Sequence, residues 1–578
     1  MVRYALTIII CYSVFSCTTS NKLVLAPLVE GHSKKQHEVS GSQFVITSSG
    51  EGASFAGERM YAMGGNIYDA FAAMSFAISV ERPQSTGIGG GGFAMIYDPA
   101  QKQNITAVDF REAAPLAATE RMFQDGKGEV IPGKSTATIF AVATPGLVAG
   151  VLDIHKRHGK LTRAEVLQPA IELAEKGFKV YPHLANALKE QTPVLKKFSG
   201  SAKIFFHKDG RPLEVGDLLV QTDLAQTLRL IAKDGEAAFY RGKIRDQILA
   251  ENKKWGGILT AKDFSDYKVK FRKDVAAGTY GKFQIFSMPP PSSGGAHVIE
   301  ILNIVEPLNL KQFGAHAPYS VHMTAAAMQQ AFADRAAYLG DADFVKVPLK
   351  GITSKKYAAE ILKRTPKDKA TPSSTLKAGN PLPYESSETT HFTIADSSGA
   401  MLASTQTING YFGSGIVASG SGIVLNNEMD DFSAKPGASN LFGAIGGTPN
   451  KIQPKKRPLS SMSPTLILKD NKPFMALGTP SGTRILTCVA LTALNVLEYE
   501  MPLYDAVAAV RYHHQWQPDE IRFDEPGLPP DTINKLEAMG YKLNKKNLEC
   551  KVNAVMFNKD ATLLGVSDPR SEGLSIAK

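Results

Sequence analysis

Cysteine is nearly absent from this sequence. There are four in 578 residues, and two of them, Cys11 and Cys17, stand close to the N-terminus. The other two, Cys488 and Cys550, are too few to make a disulfide framework even in an oxidising compartment, so stability is expected to come from a buried core. The apolar run from Tyr4 to Phe15 is too short to cross a bilayer as a helix, which takes about 20 residues. No internal repeat is evident. Basic blocks are missing as well. The net charge is +10, but Lys and Arg are dispersed, with only short clusters such as Lys455-Lys456-Arg457 and no aromatic-interleaved stripe. That excludes nucleic acid as the expected partner.

What is present is an ordinary globular composition, 43% hydrophobic and 21% charged, in a chain too long for one average domain. Met1-Val2-Arg3 and the apolar run after it read as an export signal over residues 1–16. Val14-Phe15-Ser16-Cys17 resembles a bacterial lipoprotein box, which makes Cys17 a candidate lipid anchor, with a plain cleaved signal or an uncleaved anchor as the alternatives. The protein is therefore expected to be exported or periplasmic, whether or not a lipid holds it to a membrane.

Taken in order, Gln43 to Thr47 reads as a strand and Asn66 to Ser79 as an Ala-rich buried helix. Gly87-Ile88-Gly89-Gly90-Gly91-Gly92 formally matches a dinucleotide fingerprint. A strand pattern, Phe93 to Tyr97, follows it where the fingerprint requires a helix, so close backbone packing is the better reading. Asp109-Phe110-Arg111-Glu112 ends the next strand, and Arg111 can grip a carboxylate with both guanidinium nitrogens or merely form a surface ion pair. From Gly146 to about Ile361 the pattern is mainly helical, with Thr222-Asp223 as a capped start and Val321 to Leu339 as a long helix. Met288 to Gly295 reads as a rigid proline turn before another apolar helix.

The pattern changes abruptly at Glu388-Thr389-Thr390-His391. Before it, Lys363 to Ser387 is proline-bearing and poor in apolar residues, which predicts an exposed loop. After it, Phe392, Ile394, Met401 and Ala403 alternate with polar residues around Asp396-Ser397-Ser398-Gly399, which predicts two strands and a tight turn. A hydroxyl residue at the head of a strand, behind a cleavable tail, suggests an N-terminal nucleophile. A threonine hydroxyl needs a nearby base, and a new α-amine at Thr389, with an ordinary pKa near 8, could supply it. On this stretch alone a Thr-rich strand after a linker is the plainer account. Further on, Thr407-Ile408-Asn409 closes the second strand, and Asn426 to Phe432, Arg457 to Pro464 and Gly478 to Arg484 follow within about a hundred residues. The last is a turn into an apolar helix, whose amides can stabilise an oxyanion. Each segment by itself is most often structural; their concentration favours a site.

These segments resemble the γ-glutamyltranspeptidases over nearly the whole chain, through Asp109-Phe110-Arg111-Glu112, Thr389-Thr390-His391, Asn426 to Phe432 and Pro458-Leu459-Ser460-Ser461-Met462. The resemblance implies an α+β fold, the four-layer αββα sandwich of N-terminal nucleophile hydrolases. It also implies self-cleavage at Glu388–Thr389 into a large piece, 17–388, and a small catalytic piece, 389–578, that stay together as two subunits. It gives Thr389 the role of nucleophile and Thr407 that of orienting its amine. Arg111, Ser460 and Ser461 would hold a substrate α-carboxylate; Asn409, Glu428 and Asp431 its α-ammonium; Ser481 and Gly482 the oxyanion. Glutathione and other γ-glutamyl compounds would be the donors, and water, amino acids or dipeptides the acceptors. No cofactor or metal is implied. Two departures stand out: Ser481 where the family usually has glycine, and Phe442, in the lid segment Asp431 to Gly447, where bacterial relatives often have tyrosine. The related acylases, which cleave glutaryl or cephalosporin side chains, and a non-catalytic exported binding protein of the same fold are the alternatives.

Overall fold

The computed structural model of the protein describes residues 34–380 and 390–578. The Glu388–Thr389 junction, the export signal and Cys17 lie outside the described residues.

The two strands expected after the junction are the centre of one sheet. Thr390–Asp396 and Met401–Thr407 pair antiparallel, Phe392 opposite Ser404 and Ala395 opposite Met401. Phe44–Ser48 flanks them on one side and Gly91–Tyr97 on the other. The full order is Leu574–Ala577, Phe44–Ser48, Thr390–Asp396, Met401–Thr407, Gly91–Tyr97, Ile105–Asp109, Lys270–Arg272. A second antiparallel sheet runs Glu38–Gly41, Leu563–Ser567, Asn553–Phe557, Lys472–Gly478, Thr465–Lys469, Phe283–Ser287, Ala276–Tyr280.

Side-chain alternation explains how the layers stack. Phe392, Ile394 and Leu402 face a helical layer that includes Glu51–Ala62 and Ile67–Glu81. Ala395, Met401 and Ala403 point the other way, against Leu466 and Ala476 of the second sheet. That sheet's outer face, with Ile467 and Met475, packs on the helices Gly294–Val305, Pro318–Tyr338 and Arg484–Leu497. The result is the expected helix–sheet–sheet–helix sandwich.

Local expectations fare unevenly. The helix Ile67–Glu81 is capped by the Asn66 side chain in a full capping box with Asp69. The glycine run does lead into a strand, Gly91–Tyr97, and Gly90 lies so near the Thr407 carbonyl that a Cβ would sit 1.9 Å from its oxygen. Close approach, not phosphate binding, accounts for that glycine. The helix Thr222–Asp234 begins where expected, but no side chain caps it; the preceding Gln221 instead donates its amide to the Val80 carbonyl. The described part of the tail, from Lys363 to Asn380, is exposed in most of its side chains but not loose. Gln329 donates to the Thr371 carbonyl, Trp516 to that of Ser373, and the Gly379 amide to Asp334. Polar residues can thus dock a segment with no apolar face of its own.

Cys488 and Cys550 form a disulfide, contrary to the expectation that the core alone stabilises the chain. It ties the loop before Asn553–Phe557 to the helix Arg484–Leu497, with Leu548 packed beside it. Closing a loop of this sequence separation, 62, is worth roughly 4 kcal/mol in the chain-entropy account.

Candidate active site

Arg111 is not on the surface: its side chain is 0% exposed. The strand Ile105–Asp109 ends just before it, and the Asp109 carboxylate turns the chain by accepting the Arg111 amide at 3.0 Å. Asp109 is itself fixed by Arg272 and by Arg457. The Arg111 guanidinium donates from Nε to the Pro458 carbonyl (3.0 Å), from Nη1 to Glu428 and from Nη2 to Asp431 Oδ2 (2.5 Å). Glu112 lies 3.6 Å away on the same side. The pairing with these carboxylates raises the affinity of Arg111 for its proton, against burial. Burial pushes the Glu112 carboxyl up to about 7 and Glu428 well above its usual range, with Arg111 opposing both shifts.

The other walls are set by backbone. Ser460 and Ser461 are fully buried on a segment that pairs with the proline turn: the Ser460 amide donates to the Pro291 carbonyl and the Ser293 amide to that of Ser460. Asn426 clips the segment leading to Glu428 in place, donating to the Gly89 and Ala143 carbonyls and accepting the Glu428 amide. Asn427 does the same for the other wall. Its side chain accepts the Gly410 amide at 2.9 Å, and its carbonyl accepts the Asn409 side chain at 3.1 Å. Asn409 has a positive φ of 73°, which asparagine tolerates better than most residues, and its amide donates to Thr407 Oγ1 at 2.7 Å.

Several buried acceptors here have no hydrogen-bond donor among the described residues. They are Asn409 Oδ1 and, in carboxyls that lie against each other, Glu428 Oε2 and the Glu112 oxygens; the Ser461 hydroxyl is likewise without a partner. Unpaired polar atoms in so dry a place call for a polar ligand. A group carrying both an ammonium and a carboxylate would satisfy acceptors and donors together.

Asn409 also lines a cavity of about 400 Å³, together with Thr390, Leu441, Phe442, Ser481 and Lys551, among others. Thr390 heads its strand opposite Gln406, one ladder step short of Thr407. His391 is buried behind it, accepting from or donating to Thr405 Oγ1 at 2.8 Å, and burial holds its imidazole down to about 3. A ring kept neutral in this way serves packing. The turn into Arg484–Leu497 holds Ser481 at φ 121° and Gly482 at φ 60°. Ser481 thus occupies a backbone region that favours glycine, and its hydroxyl is tied to the Leu548 carbonyl and receives Arg484 Nε at 3.1 Å. The segment expected as a lid borders the cavity through Leu441 and Phe442. Leu441 sits over Gly410, and Asn440, Leu441 and Gly443 are bonded to Asp431, Asp430 and Gln515. Phe442 is half-buried there.

A family model described as Gamma-glutamyltranspeptidase matches residues 53–577. The chain belongs to the gamma-glutamyltranspeptidase family. Among its family relatives, a glutathione hydrolase proenzyme of Escherichia coli is 43% identical over 535 residues, 93% of this chain and 92% of the relative. The solved gamma-glutamyltranspeptidase of Helicobacter pylori is also 43% identical, with a TM-score of 0.56 over 57% of this chain and 94% of its own. A cephalosporin acylase from Bacillus halodurans aligns with a TM-score of 0.83 at 25% identity, covering 96% of this chain and 99% of its own, so the family's sandwich extends to acylases.

The structure brings Arg111, Glu428 and Asp431 into direct contact and sets Asn409, Ser481 and Phe442 around the cavity, with Thr407 buried behind Asn409. Three contributors carried no sequence signal of their own role. Glu112 and Asn427 are adjacent to named residues inside quoted motifs, and Asn440, which bonds Asp431 at 3.1 Å, lies in the lid. Adjacency was the only clue to them.

Proposed function

We propose that the protein is a self-cleaving γ-glutamyltransferase and glutathione hydrolase. The observation that carries this is the buried Arg111–Glu428–Asp431 cluster, joined through Asn427 and Asn409 to the cavity that Thr390 also lines. In this reading a free amino-acid head group enters the cluster. Its α-carboxylate meets Arg111, Ser460 and Ser461, and its α-ammonium meets Asn409, Glu428 and Asp431. That selects a γ-linked glutamyl group over an internal peptide, which lacks both charges.

Thr407, one step beyond the Thr390–Gln406 pair, is where a hydroxyl could orient the amine of Thr389. That amine takes the Thr389 hydroxyl proton as the oxygen attacks the γ-carbonyl, and the Ser481 and Gly482 amides receive the oxyanion. The leaving amine departs with the proton, leaving a glutamyl ester. Water or a second amine then attacks the ester, giving glutamate or a new γ-glutamyl compound. The pieces are 17–388 and 389–578, made in an exported or periplasmic precursor whose Cys17 is the candidate lipid site.

The acylase reading is less well supported, because a glutaryl donor lacks the ammonium that Asp431 and Glu428 would answer. The non-catalytic reading has only Ser481 in its favour, against the intact Thr389, Thr407 and Arg111. A denaturing gel tests both the cut and the chemistry: wild type should yield a 190-residue piece, roughly 20 kDa of the 62.2 kDa total, and hydrolyse glutathione. Thr389→Ala should remain one chain without activity. An uncut yet fully active wild type overturns the mechanism.

A further inference from the structure

The donor site leaves one large hollow of the molecule unexplained. Lys270–Arg272 is the edge strand of the first sheet, paired with Ile105–Asp109, and Ala276–Tyr280 is the edge strand of the second. Beside the short link between them, Lys273 to Val275, lies a cavity of about 830 Å³. That volume is within the range of small-molecule sites, about 300–1,000 Å³. None of its lining residues also lines the cavity around Asn409 and Ser481. It is a separate place on the molecule.

Apolar side chains from three parts of the chain wall it. Pro289 and Pro290 of the proline turn are buried, and Val275, Val347, Pro348 and Leu349 are half-buried. Ion pairs tie the strand to the loop that carries Asp343: its carboxylate receives Lys270 Nζ, and Arg272 Nη1 at 2.9 Å. Arg272 also donates from Nε and Nη2 to Asp109 Oδ2, at 2.9 and 2.5 Å. Those two cations are therefore already answered by carboxylates.

Lys273 and Lys350 are not. Both are exposed at the cavity, and neither side chain has an ion pair or hydrogen bond among the described residues. Asp274, also exposed, is the one lining acid in the same position. Two free ammonium groups against one free carboxylate leave the mouth positive. An apolar hollow with a positive mouth suits a hydrocarbon tail on an anionic head. Each methylene buried against the walls adds to binding, while the head keeps its charge at the rim, next to a cation, and escapes the cost of burial.

We propose that this cavity is a second binding site, for a small amphiphilic carboxylate of which a medium-chain fatty acid is the simplest case. The tail lies against Pro290, Val347 and Leu349, and the carboxylate meets Lys273 and Lys350. The site stands independently of the transferase reading.

The test titrates the purified full chain by calorimetry with n-octanoate, n-butanoate and n-octylammonium at one ionic strength. Octanoate should fill one saturable site. It should bind at least tenfold more tightly than butanoate, whose tail is four carbons shorter, and at least tenfold more tightly than octylammonium, which has the same tail and the opposite charge. Saturating L-glutamate should leave octanoate binding unchanged. Lys273→Glu with Lys350→Glu should reverse the order of octanoate and octylammonium, and the variant should still hydrolyse γ-glutamyl-p-nitroanilide at the wild-type rate, which checks its fold. A wild type that binds no octanoate, or binds both eight-carbon amphiphiles equally, overturns the inference. So does a double variant that keeps the wild-type order or binds neither amphiphile. Octanoate binding that glutamate abolishes would place the ligand in the donor site and overturns it as well.

Discussion

Asp431→Asn separates charge recognition from shape. Asp431 is 3% exposed, with Oδ2 at 2.5 Å from Arg111 Nη2 and Oδ1 at 3.1 Å from the Asn440 side chain. Asparagine keeps the volume and can still accept one of these bonds, so the fold should survive. What it removes is a negative charge facing the proposed ammonium position, where Glu428 Oε2 also lacks a donor. Removing one member of a desolvated, hydrogen-bonded charge pair costs about 2–5 kcal/mol, roughly thirty- to several-thousandfold. That loss should appear in kcat/KM for γ-glutamyl-p-nitroanilide and much less for glutaryl-p-nitroanilide, which has no ammonium. Asp431 also anchors the lid through Asn440, so Asn440→Ala is the control: it breaks the lid tie, keeps the charge, and should preserve the ratio between donors. Equal losses on both donors in Asp431→Asn would refute the assignment of the ammonium to this carboxylate.

Two further outcomes are expected. Phe442→Tyr should raise the ratio of transfer to hydrolysis, because a lid hydroxyl bonded to the nucleophile would add about 0.5–1.5 kcal/mol to the closed state, roughly two- to twelvefold; an unchanged or lower ratio at fixed acceptor and pH rejects that role. Ser481→Gly should relieve a positive φ that costs of order 1–3 kcal/mol while losing one hydroxyl tie worth about 0.5–1.5 kcal/mol, leaving thermal stability the same or slightly higher and kcat within about threefold. A tenfold fall in kcat would mean that the Ser481 hydroxyl itself, and not its backbone amide, serves the reaction.

The parts legible from the sequence were those written in local pattern. Alternation at Phe392 and Ile394 and the turn at Asp396 to Gly399 announced the central hairpin, and Asn66 announced its helix. The glycine run could be denied a nucleotide because a strand pattern follows it. Arg111 was harder, since an arginine at a strand end looks the same in sequence whether it ends in solvent or in a core. Only the assembled fold places Glu428 and Asp431, more than 300 residues away, against its guanidinium. The Cys488–Cys550 bridge was hidden for the same reason: two cysteines 62 residues apart say nothing until a helix and a loop are packed together. The docking of the tail on Gln329, Trp516 and Asp334 is likewise made by partners far along the chain, and composition alone could not show it.

The same long-range assembly explains how a chain cut between residues 388 and 389 could stay whole. In the first sheet Phe44–Ser48, from before the cut, lies between Leu574–Ala577 and Thr390–Asp396, both from after it, and Met401–Thr407 is paired in turn with Gly91–Tyr97. In the second sheet Glu38–Gly41 pairs with Leu563–Ser567, and Thr465–Lys469 with Phe283–Ser287. Breaking one peptide bond removes none of these ladders. Pulling the pieces apart would expose the buried inter-sheet residues Val45, Met95, Met401 and Leu466 together with the unpaired strand edges of all five ladders. Cleavage can therefore free an amine at the head of the Thr390 strand while the Arg111 cluster, whose cation comes from one piece and two of whose carboxylates come from the other, keeps its geometry.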